Sequence, residues 1–154
     1  MNLVKDFYDT LNRQVQALFD GEDDVIAALA NFSALLNDNL EDINWVGFYL
    51  VKNDQLVLGP FQGKVACTRI PIGKGVCGTA VANDASQRVD DVHQFAGHIA
   101  CDSASNSELV VPLKQNGTII GVLDIDSPLL SRFTENDQQG VETLVKSLEI
   151  CLFG

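Results

Sequence analysis

No stretch of the 154 residues is apolar for long enough to span a bilayer. The opening "MNLVKDFYDTLNRQVQALFDG" lacks the continuous apolar run and small-residue cleavage site of an export signal. Basic residues are scarce: 10 Lys and Arg stand against 21 Asp and Glu, a formal net charge of -11. Such a surface repels phosphate backbones and anionic lipid alike, which argues against nucleic acid and membranes as partners. The four cysteines include no C-x-x-C pair, and His93 and His98 offer the histidine half of a zinc pattern without its thiol half. No metal site is expected, and the two histidines read as ordinary loop residues. Without an export signal, four cysteines point to the cytoplasm, where the disulfides that do form are usually catalytic or redox-sensing. Repeats, low-complexity tracts and linkers are absent as well. The hydrophobic content of 46% over this length suits one domain spanning residues 1–154.

What is present is patterned. Val4, Phe7, Leu11, Val15 and Leu18 recur at helical intervals, as do Ile26, Leu29, Phe32 and Leu36 after the acidic break "DGEDD". From Ile43 the run "INWVGFYLV", then Asn53-Asp54 and "QLVLGPF", reads as a β-hairpin. A second hairpin, "SELVVPL" and "TIIGVLDIDSP" about the Gln115 to Gly117 turn, is expected to close the sheet. Thr134 with Asp137 three residues later has the form of a capping box, and Val141, Leu144, Val145, Leu148 and Leu152 carry an apolar face through a last helix. Helices, an antiparallel sheet with an irregular insertion, and a terminal helix make an α+β domain. The helices should cover one face and a pocket-forming insertion the other. At fold level this is similar to a GAF domain, which by itself assigns no chemistry.

Several groups could carry chemistry, each with a plain structural alternative. Cys101 lies in "HIACDSASNSE", a polar, turn-rich segment; an isolated cysteine is ordinarily a buried hydrophobe, but an exposed loop is where reactive groups tend to sit. Gly73 to Gly78 fits G-x-G-x-x-G without the βαβ context of a dinucleotide site, and reads better as a glycine-rich entry to the helix "VCGTAVAND", with Cys77 in its first turn. Cys151 falls on the apolar side of the last helix as a core or interface residue. Asp124 and Asp126, two apart on a strand, share one face while Leu123 and Ile125 take the other. They are either a solvated strand end before Pro128 or a pocket wall in which a cation compensates them or one holds a proton. Trp45 and Tyr49 also share a face, as core packing or as an aromatic wall, with Gly47 between them leaving a gap for a ligand.

The stretches "NWVGFYL", "LGPFQGKVACTRIPIGKGVCGTA", "QRVDDVHQFAGHIACDSASNSELVVPL" and "GVLDIDSP" together closely resemble the free methionine-(R)-sulfoxide reductases, GAF-fold enzymes that reduce the free amino acid. The likeness runs from about Asn44 to Glu135. It implies that Cys101 is the catalytic nucleophile, Cys67 the resolving thiol and Cys77 a secondary partner. It assigns Glu108, Asp124 and Asp126 to substrate binding and Trp45 with Tyr49 to the pocket around the methyl group. The backbone of Ile99, Ala100 and Cys101 would receive the substrate carboxylate. No cofactor is implied, only thioredoxin as external dithiol donor.

Those residue types suit that chemistry. A thiolate attacks the sulfoxide sulfur, the departing oxygen needs protons, and clustered carboxyl groups raise one another's pKa so that one can act as acid. The resulting sulfenic acid condenses with a second cysteine to a disulfide and water. The same acids suit a free amino acid, whose ammonium group supplies the compensating charge that a peptide nitrogen lacks. The sequence leaves open which acid protonates the oxygen and which binds the ammonium; the expectation is Glu108 and Asp126 on the oxygen side and Asp124 at the amine. The competing expectation is a non-catalytic GAF sensor of a small molecule or of redox state, which needs a pocket but no reactive cysteine pair. In either case the terminal helices offer apolar stripes to a second copy as a homodimer.

Overall fold

The computed structural model describes residues 2–98 and 104–154. Helices α1 (Leu3–Phe19) and α2 (Val25–Asn39) open the chain, capped by the side chains of Asn2 and Asp24, which accept from the backbone N–H of Lys5 and Ala27. Strands β1 (Trp45–Lys52) and β2 (Gln55–Gly63) form the first hairpin. Asn53 and Asp54 between them both have positive φ, the left-handed pair that a two-residue turn requires. Strand β3 (Arg69–Pro71), helix α3 (Gly75–Asn83) and strand β4 (Gln87–Val89) follow. Strands β5 (Ser107–Gln115) and β6 (Thr118–Ser127) turn at Asn116-Gly117, and helix α4 (Glu135–Phe153) ends the fold. The capping box at its start is present, with Thr134 and Asp137 each accepting from the other's backbone N–H.

The six strands run in the order β3-β2-β1-β6-β5-β4, antiparallel throughout. The second hairpin therefore fills the middle of the sheet rather than closing it. The edges are two three-residue strands from the insertion, too short to carry a period-2 signal in the sequence. On one face α1, α2 and α4 cover Val46, Phe48, Leu109, Val111, Leu123 and Ile125. On the other, Val76, Cys77 and Ala80 of α3 pack against Trp45, Tyr49, Val110 and Val122.

Helix α1 buries a different stripe from the one its spacing suggests. Tyr8, Leu11, Val15 and Phe19 are inside, whereas Val4, Phe7 and Leu18 are exposed; in α2, Ile26 is exposed while Leu29, Phe32 and Leu36 are buried. The reason is a tertiary contact. The Tyr8 ring lies on Gly140 of α4, where a methyl group would overlap it, and the Tyr8 hydroxyl donates to Asp137 Oδ1 at 2.8 Å. This anchor rotates α1 so that Leu11 and Val15 are shared by both readings and the flanking residues are not.

Candidate active site

Three central strands build one wall of a cavity. In the β5–β6 register Glu108 faces Asp126 and Val110 faces Asp124, and in the β1–β6 register Trp45 faces Asp126 and Gly47 faces Asp124. Because side chains alternate across a strand, Leu123 and Ile125 enter the helix-side core while Asp124 and Asp126 point the opposite way, into the cavity. Trp45, Tyr49, Cys77, Glu108, Asp124 and Asp126 all line it. Residues from β1, α3, β5 and β6 that are far apart in the chain thus meet at one place.

The Asp pair is no solvated strand end. Glu108 and Asp124 are 7% and 5% exposed, a depth at which ionised carboxylates are not kept without compensation. Cys77 Sγ lies 3.9 Å from Glu108 Oε2, and donor atoms of Cys77, Glu108 and Asp124 lie within 4.8 Å of one another. Among the described residues this is the group whose spacing could hold a metal ion.

Burial, then the charges of Asp124 and Asp126, push the Glu108 carboxyl well above the usual range. Burial also raises Asp124, but hydrogen bonds from Glu108, Asp126 and Cys77 and the nearby His98 act in the opposite direction. Both carboxyls therefore lie above their ordinary range, and the hydrogen bonds that oppose the rise at Asp124 favour Glu108 as the member that keeps a proton. One Asp124 oxygen, Oδ1, is buried with no hydrogen-bond partner among the described residues. The Cys77 thiol is pushed up by burial, then by Asp124 and Glu108, so it stays protonated and donates.

The aromatic wall differs from expectation at one point. No gap opens at Gly47, because a side chain there would overlap Phe61 of the neighbouring strand, where the β1–β2 register shifts between Gly47 and Tyr49. Glycine is needed here for strand approach, and Phe61 stacks on Trp45 with ring centroids 5.1 Å apart. Trp45 in turn stacks on Tyr49 at 5.9 Å.

His98, read from the sequence as an ordinary loop residue, lines the cavity, as does Ser105, to which the Asn44 side-chain amide donates at 3.3 Å. Burial, then the nearby His93, lower the His98 pKa, while Asp124 acts to raise it. His93 itself is exposed and bonds the Asn106 side chain at 3.0 Å. Loop residues carry no periodic pattern, so only the chain's path could bring His98 to the acids. The glycine-rich entry is as read: Cys77 sits in the first turn of α3, and Gly78 has no room for a side chain against the Pro71 carbonyl.

Cys67 stands in a disulfide, and Cys77 and Cys151 are free thiols. Cys67 belongs to the irregular segment between β2 and β3, and Val65 and Ala66 before it line the cavity. Ile99, Ala100 and Cys101 lie outside the described residues. Among the described residues no helix is long and apolar enough to cross a membrane.

A GAF domain family model matches residues 7–152. The free methionine-R-sulfoxide reductase of Escherichia coli K12 is 62% identical over 144 residues, covering 94% of this chain and 87% of that protein. Among solved structures, fRMsr of Staphylococcus aureus in complex with substrate superposes with a TM-score of 0.91 at 56% identity, over 94% of this chain and 95% of that one. The free methionine-R-sulfoxide reductase of Neisseria meningitidis in complex with its substrate gives a TM-score of 0.92 at 45% identity, over 98% and 91%.

Proposed function

From the premise that the chain belongs to the GAF domain family and, within it, to the free methionine-R-sulfoxide reductases, we propose that it reduces free L-methionine-(R)-sulfoxide to L-methionine with thioredoxin as electron donor in the cytoplasm. The observation that carries this reading at the level of chemistry is the buried acid cluster with its two unlike members. Glu108, holding a proton beside Asp126, suits the departing sulfoxide oxygen. Asp124, with a buried oxygen unpartnered among the described residues, suits an ammonium group. The stacked faces of Trp45 and Tyr49 suit the methyl end.

In the proposed sequence the Cys101 thiolate attacks the sulfoxide sulfur while the backbone of Ile99 to Cys101 receives the substrate carboxylate. The attack forms a bond between the Cys101 sulfur and the sulfoxide sulfur as Glu108 protonates the oxygen; transfer of that oxygen to the Cys101 sulfur then breaks the sulfur–oxygen and sulfur–sulfur bonds of the adduct, so that methionine leaves and Cys101 is left as a sulfenic acid. The Cys67 thiol then forms the sulfur–sulfur bond, and the oxygen departs as water with the Cys67 proton. Thioredoxin reduces the disulfide, returning two electrons and two protons. The disulfide at Cys67 beside two free thiols supports Cys67 as resolver. Cys77, buried against Glu108, is the secondary thiol.

Separated sulfoxide epimers incubated with the protein and a thioredoxin system, with NADPH consumption followed, test the reading. Turnover of the R epimer of the free amino acid and poor turnover of the S epimer are expected. Tight binding of another small molecule with no turnover of either epimer would replace the enzyme by a sensor.

A further inference from the structure

The two aromatic residues of the cavity wall donate from their polar atoms to one backbone segment. Trp45 Nε1–H donates to the Lys64 carbonyl at 3.1 Å, and the Tyr49 hydroxyl donates to the Cys67 carbonyl at 2.9 Å. Lys64 and Cys67 bound the short stretch that carries Val65 and Ala66 along the cavity rim, between the end of β2 at Gly63 and the start of β3 at Arg69. The stretch belongs to no strand or helix. Both donors are permanent: an indole N–H has no acceptor role, and burial followed by the charge of Asp124 keeps the Tyr49 hydroxyl protonated. The chain also enters the stretch close against the indole, since a side chain at Gly63, whose φ is 144°, would meet Trp45 Cδ1.

We propose that Trp45 and Tyr49 are positioning residues for Cys67, holding the carbonyls at both ends of the Lys64–Cys67 stretch so that its thiol is presented to the cavity in which the oxidised intermediate forms. The inference rests on the reading of Cys67 as the resolving thiol. Condensation joins the Cys67 sulfur to the sulfenic sulfur and expels water. It requires two Cα atoms to come within about 7 Å in one of few geometries. A segment without its own ladder would sample many others, and two side-chain tethers remove that freedom before the reaction. The same rings pack the substrate end of the cavity, so one pair of residues ties where the sulfoxide sits to where the second thiol waits.

Tyr49→Phe keeps the ring and deletes one tether, and Trp45→Phe keeps an aromatic face and deletes the other. In a quenched single turnover of the reduced protein, methionine, sulfenic acid captured by a cyclic 1,3-dione, and Cys67 disulfide are measured in the same sample. The ratio of the two rates is therefore independent of the fraction folded. Disulfide formation is expected to slow roughly five-fold relative to methionine formation in each variant, the effect of one net hydrogen bond. A ratio equal to wild type in both variants would overturn the proposal. Cys67→Ser run alongside tests the reading beneath it. Persistent sulfenic acid upholds Cys67 as resolver, whereas decay at the wild-type rate shows that Cys67 is no resolver and overturns the proposal from below, whatever the aromatic variants do.

Discussion

Glu108 and Asp126 face one another directly across the β5–β6 pair. Like charges so placed are destabilising, and burial increases the cost. The fold accommodates the arrangement by leaving a proton on Glu108. A stability dependence on pH follows. Glu108 has a folded pKa above its ordinary value of 4.5. Above that pH the unfolded chain releases its proton while the folded protein keeps it, so stability is lost as pH rises until the folded group ionises. For one group the loss reaches roughly 1.4 kcal/mol per pH unit. Glu108→Gln removes that penalty. Thermal melts across pH should show the variant close to wild type below the ordinary carboxyl range and increasingly more stable above it, with single-turnover methionine formation reduced. A constant difference at all pH values would assign the proton elsewhere.

Asp124 is the proposed ammonium acceptor. Asp124→Asn preserves shape but loses the charge, and a charge-assisted hydrogen bond is replaced by a neutral one. KM for the free sulfoxide should rise on the order of 10-fold to 100-fold. The N-acetylated sulfoxide, expected to be a poor substrate of the wild type because it lacks the ammonium group, should lose no further ground. If both substrates weaken equally, the carboxylate does not recognise the amine.

The cysteines separate by step. Cys101→Ser should abolish even the first turnover, since a hydroxyl holds too little anion at neutral pH. Cys67→Ser should release one equivalent of methionine and then stall with thioredoxin. Mass spectrometry of oxidised wild type should find Cys67 joined to Cys101 and Cys151 reduced. A dominant Cys77 to Cys101 bond would transfer the resolving role.

Far from the cavity, Gly140→Ala would drive a methyl group into the Tyr8 ring. Overpacking of this kind costs about 1–3 kcal/mol and should appear as a lowered Tm. Tyr8→Phe, which removes the hydrogen bond to the buried Asp137, should cost about 1–3 kcal/mol. Unchanged melts in both would remove the α1–α4 contact from the stability of the fold.

Local chemistry was legible without coordinates wherever one segment carries its own rule. The Asn-Asp and Asn-Gly turns, the Thr134 capping box and the alternation that separates Asp124 and Asp126 from Leu123 and Ile125 each depend on residues a few positions apart. The cysteine and acid motifs likewise placed the chain in its family. What tertiary structure decided was every feature needing two distant segments at once. Tyr8 on Gly140 chose the buried stripe of α1, and Phe61 against Gly47 closed the gap expected in the aromatic wall. Short edge strands formed only because longer partners were present, and His98 reached the acids along a loop with no period to read. Proton placement belongs to this second class. Glu108 and Asp124 have nearly the same side chain, and it is burial together with neighbours from α3, β5, β6 and the His98 loop that raises Glu108 well above the carboxylate range while hydrogen bonds hold back the rise at Asp124.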